Sequence, residues 1–200
     1  MARIVVDYYF APQSPWTYLG HARLQAIAAQ AGAAIRVRPV NLGKIFPLTG
    51  GLPLPQRAPA RQAYRLVELR RWADALGLPL HLHPTHFPVP GDAAARLILA
   101  VDAAQGSDAA MDLSGRVLRA VWAEQRNIND AATLAALLAE AGLPAEALAA
   151  ADTPQVQQRY EEATQQALQA GVFGAPSYVV DGELFWGQDR LDFLERHLQK

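Results

Sequence analysis

IVVDYYFAPQSPWTYLG, residues 4–20, joins an alternating apolar run to a helix start. Ile4-Val5-Val6-Asp7-Tyr8-Tyr9-Phe10 has the β-branched and aromatic content of a strand. Ser14 followed by Pro15 supplies a cap and a first helical residue. Leu19, Leu24 and Ile27 then recur at the spacing of one helical face, from Pro15 to about Ala31. Gly32 ends that helix, and Ala34-Ile35-Arg36-Val37-Arg38-Pro39-Val40 alternates as a second strand. A strand, helix and strand in this order imply a parallel pair with a crossover helix.

Beyond this unit the pattern changes. Residues 43–60 carry Pro47, Gly50, Gly51, Pro53, Pro55 and Pro59, and read as a long irregular connection. Helices are expected at about 60–76, 91–104, 108–126 and 130–141, with a short one near 145–151 after Gly142-Leu143-Pro144. A longer helix, 154–170, starts with Thr153 as cap and Pro154 at its first position. Ser177-Tyr178-Val179-Val180 and Glu183-Leu184-Phe185-Trp186 flank Asp181-Gly182, a strong hairpin signal, and a last helix runs over about 189–198. The expected fold is therefore α/β. One sheet domain, residues 1–42 and 153–200, is interrupted by an all-helical insertion at 43–152.

Bulk composition narrows the function. Apolar residues make up 51% and charged residues 18%, enough for a substantial core. The formal net charge of -1 leaves no basic field for nucleic acid. No apolar stretch is long enough to span a bilayer, and Met1-Ala2-Arg3 leads straight into the first strand without a leader pattern, so a soluble cytoplasmic protein is expected. Cysteine is absent, which excludes disulfides, thiolate metal sites, cysteine nucleophiles and dithiol redox chemistry on the protein's own sulfur.

Three motifs then stand in order: Ser14-Pro15-Trp16-Thr17 at the first helix, Gly174-Ala175-Pro176-Ser177 before the hairpin, and Phe185-Trp186-Gly187-Gln188-Asp189 after it. Together they resemble the thioredoxin-like fold of the DsbA type, in which a C-x-x-C pair opens the first helix and a cis-proline faces it. With serine in the first cysteine's place, the whole chain resembles the 2-hydroxychromene-2-carboxylate isomerases and the kappa-class glutathione transferases. Gly43-Lys44-Ile45-Phe46 and His86-Phe87-Pro88 extend that likeness. The resemblance implies a homodimer that uses glutathione as cofactor and takes a small aromatic carboxylate in aromatic catabolism.

Ser14 reads first as an N-cap. The same position gathers helix N–H groups and partial positive charge, where a thiolate is favoured and a hydroxyl can donate to it. A chain without cysteine must borrow the sulfur, and by resemblance glutathione supplies it. Ala175-Pro176 reads as a tight turn, or as a cis bond whose Ala175 backbone pairs with an extended tripeptide. Trp186, Gly187, Gln188 and Asp189 start a helix. By resemblance they also form the arm that holds the γ-glutamyl end, with Asp189 on the ammonium.

Lys44, Arg57, Arg61 and Arg65 read as surface charge. The resemblance implies that Lys44 meets the substrate carboxylate, that Arg61 lies near a lysine of the kappa class and that His86 borders the substrate pocket. Gly51 departs from the asparagine common in these families. His81-Leu82-His83 with His86 lacks neighbouring carboxylates, and Pro84 interrupts its geometry, so no metal is expected. The implied reaction is a glutathione-dependent cis–trans isomerisation. Its rivals are a kappa-like transferase that releases a conjugate and a non-catalytic peptide-binding module.

Overall fold

The structure, a computed structural model, describes residues 3–200; Met1 and Ala2, on which the leader reading and the start of segment 1–42 fall, lie outside the described residues. Strand β1 (Val5–Phe10), helix α1 (Pro15–Gln30) and strand β2 (Ala34–Pro39) form the expected parallel unit, with Tyr8 beside Val37. Helices α2 (Leu42–Thr49), α3 (Pro59–Leu76), α4 (Asp92–Gln105), α5 (Ser107–Trp122), α6 (Ala131–Glu140), α7 (Glu146–Ala151) and α8 (Pro154–Gln169) follow. The chain returns through β3 (Ser177–Val180) and β4 (Glu183–Trp186), and ends in α9 (Leu191–Leu198). The sheet order is β2-β1-β3-β4, with β3 antiparallel to both its neighbours.

Alternation along β1 divides the core. Val6, Tyr8 and Phe10 face one side, where α1, α9 and the buried faces of α4 and α5 join a single apolar cluster. Tyr9 faces the other side with Val40, Ile45, Ala167, Val172 and Val179, under α2 and α8. The helical block 43–152 thus shares one buried cluster with the sheet. Tyr8 stacks between Phe10 and Tyr178 at centroid distances of 4.6 and 5.6 Å.

Three local expectations need correction. The stretch 43–60 is not wholly irregular, since α2 occupies its first part. Asn41 caps that helix by accepting from the Lys44 N–H at 3.2 Å, and its Nδ2 donates to Asp92 at 2.9 Å. Gly50, at φ 77°, ends it in the left-handed region. A cap, a glycine stop and the burial of Ile45 outweigh the presence of Pro47 inside the helix. Thr153 precedes α8 but does not cap it, because its hydroxyl donates to the Ala150 carbonyl at 2.7 Å instead. The fifth helix also stops at Trp122, short of 126, where the chain turns and Gln125 adopts φ 54°.

Under the sheet lies a neutral histidine. His21 Nε2 donates to the Met111 carbonyl at 3.0 Å, so Nδ1 accepts from the Tyr8 hydroxyl at 3.2 Å. Burial pushes its pKa down to about 4. An unfolded chain takes up a proton on this imidazole below pH 6.5 that the folded chain refuses until about pH 4. Stability therefore falls with acid across that window and levels off below it, by on the order of 3 kcal/mol. Denaturant titrations at pH 7 and pH 4.5 should show a smaller acid loss for His21→Gln than for the parent, and equal losses would assign the acid sensitivity elsewhere.

Candidate functional site

Ser14 sits at the N-cap of α1 with extended backbone angles, and its Oγ accepts from the Thr17 N–H at 3.2 Å. The side chain is 8% exposed. Its hydroxyl proton meets no acceptor among the described residues, and the Trp16 N–H is likewise unspent. Thr17 adds a fully buried Oγ1 without a partner, a polar atom that the sequence reading passed over. The cap reading of Ser14 holds, and it leaves the donor free. An anion brought to this point meets one hydroxyl donor, a free N–H and the positive end of a sixteen-residue helix.

Strand pairing brings the second motif to the first. Tyr9 lies opposite Ser177, so the end of β1, which leads to Ser14, runs beside the start of β3. The Ala175-Pro176 peptide bond is cis. The Ala175 N–H and C=O take no hydrogen bond among the described residues, whereas the Pro176 carbonyl accepts from the Gly187 N–H at 2.9 Å. That bond ties the third motif to the second.

The third motif turns through a 3-10 segment, Gln188–Arg190, before α9 begins at Leu191, two residues later than expected. Gly187 makes the bend at φ 101°, a backbone state that a side chain would strain. Gln188 is buried against α1 at Gly20, where an added Cβ would stand 2.7 Å from the Gln188 Cβ. Trp186 lies half exposed against Phe173, its ring 4.7 Å away, and its indole covers Gly174. Asp189 is exposed and pairs with Arg190 at 2.7 Å. Ser14, Ala175-Pro176 and Trp186–Asp189 are thus linked by β1, β3 and the α1 contact.

The residues expected to meet the substrate are spread more widely. Lys44 is exposed on the first turn of α2, 3.9 Å from Glu161. Arg61 is exposed at the start of α3, and His86 is exposed beside a second cis bond, Phe87-Pro88, that the sequence did not announce. The Phe46 ring covers Gly51 so closely that a Cβ there would overlap it unless the ring moved. Arg65 stands apart from the other three. Its guanidinium lies 5.4 Å from the Phe87 centroid and 5.7 Å from that of Trp122, and burial, helped by Arg57, lowers its pKa to about 10. Trp122 in turn donates from Nε1 to the Gln13 carbonyl at 3.2 Å, one residue before Ser14. Nothing in the sequence marks Trp122 for this contact, because its partner is 109 residues away. Among the described residues no three His, Cys, Asp or Glu side chains gather to hold a metal ion, and no helix is long and apolar enough to cross a membrane.

The DSBA-like thioredoxin domain profile matches residues 5–199. A 2-hydroxychromene-2-carboxylate isomerase of Sphingobium xenophagum is 32% identical over 195 residues, covering 96% of this chain and 97% of its own. One of the same name from Pseudomonas putida is 30% identical, over 96% of this chain and 93% of its own. Among solved structures, a 2-hydroxychromene-2-carboxylate isomerase superposes with a TM-score of 0.82 at 28% identity, over 98% of this chain and 94% of that one.

Proposed function

The chain belongs to the DsbA-like thioredoxin family and, within it, to the 2-hydroxychromene-2-carboxylate isomerases, and from that premise we propose that it isomerises such a carboxylate with the help of glutathione held at Ser14. The observation that carries this reading is the unspent Ser14 proton at a buried helix N-terminus in a chain without cysteine. Glutathione held by Ser14, Ala175 and Trp186–Asp189 would supply the sulfur nucleophile for a reversible isomerisation in which none is consumed.

The chain's own residues have three tasks. Ser14 donates its hydroxyl proton to the sulfur anion, with the Trp16 N–H and the α1 dipole behind it, and so favours thiolate over thiol at neutral pH. The free N–H and C=O of Ala175 pair with the peptide in extended form. Trp186, Gly187, Gln188 and Asp189 take the γ-glutamyl end, where Asp189 exchanges Arg190 for the ligand's ammonium. The substrate carboxylate calls for a cation from the helical block, where Lys44 and Arg61 are exposed and Arg65 is half-buried.

Calorimetric titration with reduced glutathione, set beside S-methylglutathione, tests the reading. Saturable binding that weakens when the sulfur is blocked supports it, and no binding removes it in favour of a peptide-binding module. Asp189→Ala should weaken glutathione about tenfold while leaving cysteinylglycine, which lacks the γ-glutamyl arm, unchanged. Equal weakening of both ligands would take Asp189 out of the site.

A further inference from the structure

Between the start of α3 and the segment 82–87 lies a cavity of about 280 Å³, walled by Leu54, Gln62, Leu66, Leu82, His83 and Phe87, with Arg65 among them. Its size is near the lower end for small-molecule sites. The wall mixes polar and apolar surface, with the Phe87 ring as its aromatic element, and no carboxylate lines it. Arg65 makes no ion pair or hydrogen bond among the described residues. Aromatic faces hold its guanidinium instead, from Phe87 and Trp122. Stacking of that kind occupies the face of the ion and leaves the N–H edge for an anion.

Arg57 adds to the imbalance. Its Nε donates to the Leu52 carbonyl at 2.8 Å, and burial, then Arg61, lowers its pKa. A half-buried cation sharing its surroundings with other cations and no acid gains when an anion joins it. A chain of two contacts links the cavity wall to the start of α1. Phe87 packs on Trp122 at 4.8 Å, and Trp122 holds the Gln13 carbonyl beside Ser14. Lys44 differs on each count, being exposed and already within 3.9 Å of Glu161.

We propose that Arg65 grips the carboxylate of the aromatic substrate, the ring system lying in this cavity against Phe87. The assignment rests on the isomerase reading above and gives that reading its substrate-binding residue. Lys44 is left outside the cavity lining, bridged to α8 through Glu161.

The test uses chromone-2-carboxylate, an unreactive ring analogue, and its uncharged carboxamide, titrated into the whole chain without glutathione. The parent should bind the carboxylate about 30-fold tighter than the amide. Arg65→Met should erase that preference by weakening the carboxylate alone, Arg65→Lys should restore part of it, and Lys44→Gln should keep it. His83→Glu, an exposed change that puts a carboxylate on the cavity wall, should weaken the carboxylate ligand about tenfold even if Arg65→Met does not fold. A parent without preference, an equal loss of both ligands in Arg65→Met, a lost preference in Lys44→Gln, or unchanged binding in His83→Glu would each overturn the proposal. Turnover separates the two readings. Glutathione-dependent isomerisation with an Arg65-independent preference sinks only the Arg65 assignment. An Arg65-dependent preference in a chain with no such turnover sinks only the isomerase reading.

Discussion

Replacing Ser14 with alanine is expected to lower glutathione-dependent turnover about 100-fold while the chain still folds. On the proposed function the hydroxyl would serve two partners, the Thr17 N–H and a bound sulfur anion. Losing its bond to the Thr17 N–H costs about 1 kcal/mol of stability, the usual worth of a helix cap. Losing its proton removes a charge-assisted hydrogen bond from the sulfur anion, and with it the lowered thiol pKa. The sign of the pH effect follows. Without the donor the thiolate needs a higher pH to form, so the pH at half-maximal kcat/KM moves up toward that of an unperturbed thiol, near 8.5. Steady-state rates across pH 6–9 for parent and variant, with a thermal melt of each, separate the two losses. A variant with full turnover and an unmoved pH profile would reduce Ser14 to its cap.

Local patterns made much of this legible in the sequence. The βαβ unit, the hairpin at Asp181-Gly182 and the three motifs around Ser14, Pro176 and Asp189 are each encoded by residues adjacent in the chain. Periodicity and turn chemistry report such features directly. Helix α2 was hidden because prolines and glycines dominate its stretch, while the cap that forms it depends on Asp92, 51 residues beyond Asn41. Thr153 looked like a cap because the residue type and the following proline are right, yet its hydroxyl turns back to Ala150. The cations were the least legible part. Arg57, Arg61 and Arg65 are equivalent in a list of charges, and only the tertiary placement of Phe87 and Trp122 singles out Arg65.

The same placement makes Trp122 the side chain on which the helical block and the sheet depend together. It closes α5, is fully buried and heads the largest side chains of the core. Truncation to alanine should cost about 3–5 kcal/mol, since the void lies between α5, the Phe87 segment and the turn before α1. Trp122→Phe separates packing from bonding. It keeps an aromatic ring against Phe87 but leaves the Gln13 carbonyl without its donor, for about 1 kcal/mol beyond the lost volume. Because Gln13 precedes Ser14, the loss should also loosen the helix start and lower kcat severalfold, with denaturant unfolding and single-turnover rates measured on the same samples. If Trp122→Phe is destabilised yet turns over at the parent rate, the Gln13 bond serves the fold alone. If both fall together, the inserted helices hold the serine in place as well, and the two halves of the chain form one catalytic unit.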